Sequence, residues 1–354
     1  MDDGVSPTGL TLGTFERWLA RRHPELRGGG ELTAELLTGG LSNLTYRIDG
    51  AATPLVLRRP PLGHVLTTAH DMAREFRVLG GLHGTAVPVP RPYVLAADAD
   101  GEAGVGAEFY LMQRVDGETL DERADNANYT AAELHGIGLE LARTLARLHE
   151  LDPASVGLGD FGRPDGFLER QLRRWATQYE GNRFRELPDL DRLLTRLRDA
   201  MPETRWTSLV HGDYRLDNVL VQRGADGAPH IAAVLDWEMA TIGDSLTDLG
   251  LLGLYWDLAE LLGDSAVGRT AVDPAAGYPD FAELLDAYGA CRGIRVPELG
   301  WYLGFAAAKL AIILEGIQLR HDQGETVGEG FDHVGDLVPL LAAAGLARLH
   351  HEEH

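Results

Sequence analysis

Apolar and polar positions follow different periods in the two parts of this chain. Short runs of β-prone residues, separated by glycine and proline, fill positions 32–57, which is typical of a β-meander. A buried strand is predicted at 109–115, and helices are predicted at 15–23 and at 67–83, where apolar residues recur on one helical stripe. The first part is therefore predicted to be small and rich in strands.

Long amphipathic helices dominate the pattern from position 129 onward. They are predicted at 131–151, 166–180, 187–200, 246–262, 281–291, 301–320 and 334–349, and one β-rich island lies between them at 208–237. Because the period changes after Asp116-Gly117, we expect two domains, 1–117 and 118–354.

Composition is that of a globular protein. Apolar residues make up 44% of the 354 residues and charged residues 24%, close to ordinary usage. The single cysteine, Cys291, permits no intramolecular disulfide. The start of the chain is acidic, unlike a signal peptide, and Lys309 interrupts the longest apolar stretch. We expect a cytoplasmic protein that does not bind a membrane.

The net charge excludes some partners. The 32 basic and 54 acidic side chains give a net charge of −22, which argues against nucleic acid as a partner because a polyanion would be repelled. Most of the excess lies after position 117. Two interpretations stay open: a charged surface that favours solubility, or a field that attracts a cationic ligand. Oligomeric state cannot be inferred from these patterns.

The scarcity of lysine excludes a common nucleotide-binding motif. Lys309 is the only lysine, and it follows an alanine inside an apolar helical pattern. A Walker A loop, which needs a lysine directly after a glycine, is therefore impossible. The chain also has no GxSxG, HExxH or CxxC motif.

The strongest chemical signal lies in the β-rich island. Asp213 and Asn218 lie five residues apart after one strand-like run, and Asp236 follows the next such run. Asp213 can orient or deprotonate an acceptor hydroxyl, while Asn218 and Asp236 offer the hard oxygen ligands that Mg²⁺ prefers when it bridges nucleotide phosphates. The alternative is that all three are turn-forming residues of two hairpins.

These motifs resemble the aminoglycoside phosphotransferase and choline kinase-like family. HGDYRLDN at 211–218 is similar to its catalytic loop, and LDWE at 235–238 is similar to its metal-binding segment. The resemblance implies an α+β fold of the bilobal protein-kinase-like type, with a small β-rich N-lobe and a large, mainly helical C-lobe. It also implies ATP and Mg²⁺ as cofactors, Asp213 as catalytic base, and Asn218 and Asp236 as metal ligands. The segments LSNLTYRI, VLRRPP, MAREFRVL and VPVPRP resemble the branch that includes kinase-like domains fused to acyl-CoA dehydrogenases in animals.

The small lobe departs from the family pattern, because no lysine is present to hold the α- and β-phosphates. Alternation along the third strand places Arg58 and Arg59 on opposite faces. Arg58 aligns with the family lysine and is the residue we choose, with Glu75 on the following helix as its partner. The alternative is an ordinary basic pair on the surface.

Further nucleotide contacts are expected from a glycine-rich turn and from the segment after the last strand of the lobe. The turn can bring backbone N–H groups against phosphate oxygens, or it is a plain hairpin turn. The segment can meet adenine through its backbone, or it is only a buried strand. The expected residues are Gly39, Gly40, Ser42 and Asn43 in the turn, and Gln113 and Val115 in the segment.

Three other residues near the motif have expected roles. Arg215 can neutralise charge in the transition state, and a salt bridge to Asp217 or Glu238 is the equal alternative. His211 is expected to order the loop by hydrogen bonding rather than to act as a base. Asp248 resembles the family aspartate that ties the catalytic loop to the following helix.

We therefore expect ATP-dependent phosphorylation of a hydroxyl on a small molecule, such as an aminoglycoside or another hydroxylated antibiotic or natural product. Such an activity would serve antibiotic resistance or biosynthesis. Alternatives are a kinase for hydroxyacyl or other metabolites, and a catalytically silent binding module with the same fold. Acidic positions in the second lobe suit a polycationic acceptor, or are ordinary solvated faces. They are Asp257, Glu260, Asp264, Glu315 and Asp322.

Overall fold

The structure is a computed structural model that describes residues 7–37, 43–62, 71–263, 270–324 and 333–350. The chain divides into two compact units. The first comprises Met1–Gly117 and Ala232–Glu238, and the second comprises Glu118–Ile231 and Met239–His354. In this division one unit boundary follows position 117, and the segment that carries Asp236 belongs to the first unit. The domains 1–117 and 118–354 stay a prediction.

The first unit is built on a five-stranded antiparallel sheet with the order β1-β2-β3-β5-β4. In the register of the sheet, Arg58 lies opposite Thr45 on one side and Tyr110 on the other. The strands are β1 (Thr33–Leu37), β2 (Leu44–Asp49), β3 (Leu55–Arg59), β4 (Pro92–Ala96) and β5 (Phe109–Gln113).

In the described part of this unit, three helices accompany the sheet: α1 (Leu12–Arg22), α2 (Pro24–Arg27) and α3 (Met72–Leu82). Trp18 of α1 packs edge-on against Phe109 with ring centroids 5.4 Å apart, which places the core of the unit between helix and sheet. The Asp71 side chain caps α3 by accepting from the N–H of Arg74 at 2.9 Å. Positions 67–70 of the predicted helix lie outside the described residues.

The second unit is mainly helical. Two of its helices begin with reciprocal capping boxes, Thr130 with Glu133 and Asp280 with Glu283, which satisfy N–H groups of the first turn. The helix predicted at 246–262 is divided at Asp257 into α7 and α8. The helices are α4 (Ala131–Glu150), α5 (Phe167–Asn182), α6 (Pro188–Asp199), α7 (Leu246–Trp256), α8 (Leu258–Leu262), α9 (Phe281–Arg292), α10 (Gly300–Asp322) and α11 (Leu337–His350).

Helix α10 is the central helix of the second unit and contacts α5, α6, α7 and α11. By length and composition it could cross a membrane, with a mean hydropathy of 1.4 in its most apolar window, but 67% of that window is buried inside the structure. Burial from several sides explains why it is apolar nearly all round. Lys309 and Glu315 are the charged residues of its middle part.

The predicted β-rich island forms strands β6 (Thr207–Val210), β7 (Val219–Arg223) and β8 (Pro229–Val234). Strand β6 pairs antiparallel with β9 (Thr241–Asp244), which the sequence pattern did not predict. A tight turn follows β7, in which the N–H of Gly224 donates to the carbonyl of Ala228 at 2.9 Å. The loop between β6 and β7 carries Asp213 and Asn218.

Candidate active site

An arginine held by two carboxylates lies on the sheet of the first unit. The Arg58 side chain, on β3, is only 14% exposed, with its Nε 3.0 Å from Glu75 Oε2 and its Nη2 2.7 Å from Asp236 Oδ1. Glu238 Oε2 lies slightly farther away, 3.8 Å from the Nη2 of Arg58. Burial lowers the pKa of Arg58, but the negative charges of Glu75, Asp236 and Glu238 outweigh it and raise the pKa overall. The predicted partnership of Arg58 with Glu75 is confirmed.

Glu75 is the buried carboxylate of this cluster. It is 2% exposed and accepts hydrogen bonds from the Tyr110 hydroxyl at 2.9 Å and from Asn43 Nδ2 at 3.1 Å. Burial raises the pKa of Glu75, while Arg58 and the Tyr110 hydrogen bond lower it by less. Helix α3 thus presents a carboxylate that depends on Arg58 for its countercharge.

Arg59 faces away from this cluster, as strand alternation predicts. Its buried guanidinium donates to the carbonyl oxygens of Pro60, Gly9 and Val105. These contacts connect β3 to the start of the chain and to the loop before β5. Of the two adjacent arginines, Arg58 is therefore the one that meets the acidic residues.

Asp236 has an unusual backbone conformation. Among the described residues, it is the one non-glycine residue with a positive φ, +61°. This left-handed conformation is costly for side chains with a Cβ and is tolerated best by Asp and Asn. Such strain persists where the surrounding structure holds it, and it is concentrated at functional sites. The turn directs Asp236 Oδ1 to Arg58.

The other nucleotide-site residues predicted in the first unit are only partly described. Gly39, Gly40 and Ser42 lie outside the described residues. Asn43 lies inside them and donates from Nδ2 to Glu75 Oε1 and to Glu238 Oε2, each at 3.1 Å, so it joins the acidic cluster.

The predicted adenine-binding segment lies at the end of β5. The N–H of Gln113 donates to the carbonyl of Arg91 at 2.8 Å, and Gln113 pairs with Leu55 in the sheet. Val115 is half-buried just after the strand. Their roles toward nucleotide stay predictions.

Asp213 and Asn218 meet on the loop between β6 and β7 of the second unit. Asn218 Nδ2 donates to the backbone carbonyl of Asp213 at 2.8 Å and to its Oδ2 at 3.1 Å. The Tyr255 hydroxyl, from α7, donates to Asp213 Oδ1 at 3.3 Å. Both carboxylate oxygens of Asp213 are thus held in place, as a group that must orient an acceptor requires.

The Asp248 side chain holds the backbone of this loop in place. It is 1% exposed; its Oδ2 accepts from the N–H of His211 at 2.7 Å and its Oδ1 accepts from the N–H of Gly212 at 2.8 Å. Burial raises the pKa of Asp248, but His149 at 3.1 Å, the His211 charge and the Gly212 N–H together lower it below its ordinary value. The predicted tie between Asp248 and the loop is confirmed.

The two histidines next to Asp248 have structural positions. His211 is fully buried, and its Nδ1 accepts from the N–H of Asp213 at 3.2 Å, which is the loop-ordering role predicted for it. Burial lowers the pKa of His149, which also bonds the Tyr288 hydroxyl at 2.9 Å.

Arg215 makes the salt bridge that was the alternative to a transition-state role. Its guanidinium pairs with Asp217 and lies over the Tyr255 ring, 4.2 Å from the ring centroid. Burial lowers the pKa of Arg215, but Asp217 and Tyr255 outweigh this and raise it overall. A role for Arg215 against the transferred phosphate stays a prediction.

Not all of the acidic residues suggested as a polycation site lie on the surface. Glu315 is fully buried and paired with Arg185 at 2.6 Å, so that suggestion is wrong for Glu315. Asp257 pairs with Arg348 at 2.6 Å. Asp322 accepts from Gln318 at 2.7 Å, and Asp264 lies outside the described residues.

Sequence reasoning missed two residues that contact the loop between β6 and β7. Tyr255 sits in an apolar helical run with no signal that separates it from core residues. Lys309 carried a signal, since it is the only lysine of the chain and interrupts an apolar helix. Its Nζ donates to the carbonyl oxygen of Gly212 at 2.7 Å.

Each of the two predicted metal ligands has an oxygen atom suited to a hard cation. In the second unit, Asn218 uses its Nδ2 toward Asp213, which leaves its Oδ1. In the first unit, Asp236 uses its Oδ1 toward Arg58, which leaves its Oδ2. A shared role of the two residues toward a metal stays a prediction. Carboxamide and carboxylate oxygens are ligands that Mg²⁺ accepts. Within the described residues, no cluster of three or more His, Cys, Asp or Glu residues could hold a metal by itself.

The sequence is similar to one protein family and to curated relatives over most of its length. The sequence profile of the phosphotransferase enzyme family matches residues 33–293. Acyl-CoA dehydrogenase family member 11 of Gallus gallus is 32% identical over 342 residues, which cover 94% of this chain and 43% of that protein. The probable acyl-CoA dehydrogenase IBR3 of Arabidopsis thaliana is 31% identical over 88% of this chain and 39% of its own length. This chain thus spans about two fifths of these curated relatives.

Solved structures share the fold. A crystal structure of an aminoglycoside phosphotransferase homologue from Ralstonia eutropha has a TM-score of 0.80 and 30% identity, covering 96% of this chain and 98% of that one. A thermostable mutant of another aminoglycoside phosphotransferase, in a ternary complex with AMP-PNP and hygromycin B, has a TM-score of 0.60 at 14% identity over 95% and 98% of the two chains. The kinase-like α+β fold predicted from the sequence is confirmed.

Proposed function

We propose that this chain, which belongs to the phosphotransferase enzyme family, transfers the γ-phosphate of ATP to a hydroxyl group of a small molecule. The observation that carries the proposal is Asp213: its carboxylate is bound by Asn218 and Tyr255, on a loop whose backbone Asp248 holds. A general base must be fixed before it can direct a hydroxyl toward phosphorus.

The nucleotide would be held by the first unit. Arg58 can bind phosphate oxygens because its planar guanidinium can donate two parallel N–H hydrogen bonds, which the ammonium of a lysine cannot do. Glu75 Oε2, 3.0 Å from the Nε of Arg58, keeps the guanidinium in place. An aminoglycoside phosphotransferase with the same fold has been solved with AMP-PNP and with ADP, which supports a nucleoside triphosphate as the phosphate donor of this chain. Asn218 and Asp236 would hold magnesium, which neutralises charge on nucleotide phosphates.

The chemical step then needs little covalent work from the protein. The acceptor oxygen forms a bond to the γ-phosphorus while the bond from that phosphorus to the β,γ-bridging oxygen breaks. Asp213 takes the hydroxyl proton, and ADP and the phosphorylated alcohol are the products. Arg215, although paired with Asp217, would offset part of the charge that develops on the transferred group.

The acceptor is proposed as a class. Similarity to aminoglycoside phosphotransferases, and 40% identity to the viomycin phosphotransferase of Streptomyces vinaceus over 65 residues, support a hydroxylated antibiotic or natural product. The longer similarity to acyl-CoA dehydrogenase family members, over 94% of this chain, supports a hydroxyacyl metabolite as the second candidate. Because Glu315 is buried and paired, the structure offers less support for a polycation than the sequence did.

Magnesium-dependent ADP release tests the proposal. Wild type, Asp213→Asn and the control Asp226→Asn, which removes an exposed carboxylate from the turn after β7, are compared with aminoglycosides, hydroxyacyl compounds and hydroxylated macrolides as acceptors. Loss of the base should lower turnover about 10²- to 10⁴-fold and leave calorimetric ATP affinity nearly intact, while the control keeps full activity.

Three outcomes separate the alternatives. Equal turnover by wild type and Asp213→Asn contradicts the assigned base. ATP binding without ADP release for any acceptor favours a silent binding module. For an acceptor that works, a Michaelis constant that rises steeply with salt indicates a polycation, because exposed charges are screened beyond about 10 Å at 0.1 M salt.

A further inference from the structure

The only lysine of the chain lies beside the loop between β6 and β7. Lys309 is in the middle of α10, between the buried residues Ala308 and Leu310. Its Nζ donates to the carbonyl oxygen of Gly212 at 2.7 Å and lies 5.6 Å from the centroid of the Trp175 ring. Placing an ammonium on an apolar core helix costs free energy unless it gains specific partners, and these contacts are such partners.

Gly212, the partner of Lys309, directly precedes the proposed base. Its φ of +83° is in the left-handed region, and a Cβ at this position would lie 2.7 Å from the carbonyl oxygen of Met239. Its N–H donates to the Asp248 carboxylate, and its carbonyl accepts from Lys309. The residue is thus held at its N–H by a negative charge and at its carbonyl by a positive charge, and the carbonyl belongs to the peptide that carries the N–H of Asp213.

The charges around Lys309 link it to the base itself. Burial lowers the pKa of Lys309, the carboxylates of Asp213 and Asp248 raise it by less, and Arg174 lowers it further. A change of charge at Asp213 should therefore change the pKa of Lys309.

We propose that Lys309 is the positioning residue for Asp213, which it serves by clamping the Gly212–Asp213 peptide through its carbonyl and by setting the charge beside the carboxylate. This inference rests on the proposed function. It assigns the one lysine of the chain to the acceptor side of the reaction, while the phosphate-binding cation of the first unit is an arginine. Lys309 does not itself contact the reacting atoms.

A purely structural role is the competing explanation, in which Lys309 only anchors α10 to the loop. The two explanations differ in what they predict for charge. An anchor needs a hydrogen bond and a stable fold, whereas the positioning role also needs electrostatic coupling between Lys309 and Asp213. The test therefore needs one readout in catalysis and one in the charge state of Lys309.

The catalytic readout compares Lys309→Met, Lys309→Arg and the control Glu315→Gln, which alters a buried charge on the same helix away from the loop. A misplaced base costs on the order of 10²-fold in rate. We expect Lys309→Met to lower kcat by about that factor while the KM for ATP changes less than about 3-fold. Lys309→Arg should restore part of kcat, and Glu315→Gln should lower the Tm without lowering kcat.

The charge readout uses the fact that one lysine gives one resonance. In the 354-residue chain grown with lysine carrying ¹³C at Cε, the titration midpoint of Lys309 is measured by NMR in wild type and in Asp213→Asn. Because the Asp213 carboxylate stabilises the ammonium, its removal should move the midpoint to lower pH. The control Asp226→Asn, at an exposed turn, should leave the midpoint unchanged.

The outcomes keep this inference separate from the proposed function. Unchanged kcat in a folded Lys309→Met overturns the positioning role while phosphotransfer stands. An unchanged Lys309 midpoint in Asp213→Asn overturns it as well, even if Lys309→Met fails to fold. If wild type transfers no phosphate to any acceptor, the proposed function fails, and the NMR midpoint alone decides whether Lys309 and Asp213 are coupled.

Discussion

Replacing Arg58 by methionine would remove the countercharge of a buried carboxylate while keeping an unbranched side chain of similar reach. In the variant, Glu75 keeps its hydrogen bonds from Tyr110 and Asn43 but loses a guanidinium 3.0 Å away. Asp236 also loses its partner at 2.7 Å, although its side chain is 32% exposed and so is better solvated. The perturbation is therefore mainly one of charge at Glu75.

The size of the effect follows from distance and burial. Two unit charges at that separation attract by roughly 5 kcal/mol at an effective dielectric constant of about 20, and part of this is offset because arginine no longer has to be desolvated. Measured losses on breaking a buried pair are about 3 to 5 kcal/mol. We expect Arg58→Met to lower the free energy of unfolding by about 3 kcal/mol at pH 8, which lowers the Tm of a unit of this size by roughly 10 °C.

The loss should depend on pH with a definite sign. Burial already raises the pKa of Glu75, and Arg58 is the largest influence that lowers it, so the variant raises the pKa of Glu75 further. The folded state then binds a proton more readily than the unfolded state, and stability increases as the pH falls through the raised pKa. The difference in free energy of unfolding between wild type and Arg58→Met should therefore be largest at pH 8 and should become smaller toward pH 5.

Calorimetric unfolding between pH 5 and 8 measures this, with Glu75→Gln and the double variant completing the cycle. Glutamine carries no charge, so the double variant should be more stable than Arg58→Met at pH 8 and should lose the pH dependence. A deficit that is constant with pH, or a double variant no more stable than Arg58→Met, would refute the reasoning, because uncompensated charge would then not be the cause.

Two further predictions concern the loop that carries Asp213. In wild type, both carboxylate oxygens of Asp248 accept hydrogen bonds, from His211, Gly212 and His149, and Asp248→Asn leaves one oxygen for them. Each buried N–H left without an acceptor costs about 1 to 3 kcal/mol, so the free energy of unfolding should fall by at least about 2 kcal/mol and kcat should fall as well. An unchanged Tm in thermal unfolding would contradict this. Gly212→Ala places a Cβ 2.7 Å from the Met239 carbonyl at a positive φ, so urea unfolding should show a loss of more than about 1 kcal/mol, and wild-type stability would mean that the loop relaxes freely.

The pair in the first unit was predicted from a local pattern together with the family resemblance. Alternation along one strand separates Arg58 from Arg59, and the alignment with the family lysine and its helix glutamate selected Arg58 and Glu75. The proximity of Asp213 and Asn218 follows from a five-residue spacing on one loop. In each case the contact is set by the geometry of one or two neighbouring elements.

Contacts made by helix packing could not be predicted in this way. Tyr255 reaches Asp213 across 42 residues and Lys309 reaches Gly212 across 97, and both depend on which faces of α7 and α10 turn toward the loop. Glu315 was mistaken for a surface residue because its partner Arg185 is 130 residues away. The break at Asp257 was missed because the apolar pattern continues through it.

The membership of Ala232–Glu238 in the first unit has a consequence for how the protein is made. Arg58 leaves the ribosome 178 residues before its partner Asp236, a delay of about 10 to 35 s at ordinary rates of synthesis. During that interval β1 to β5 can pair, but the Arg58 cluster lacks two of its carboxylates. The Arg58 cluster of the first unit is therefore completed late, and a chain released after position 117 would never acquire Asp236 or Glu238.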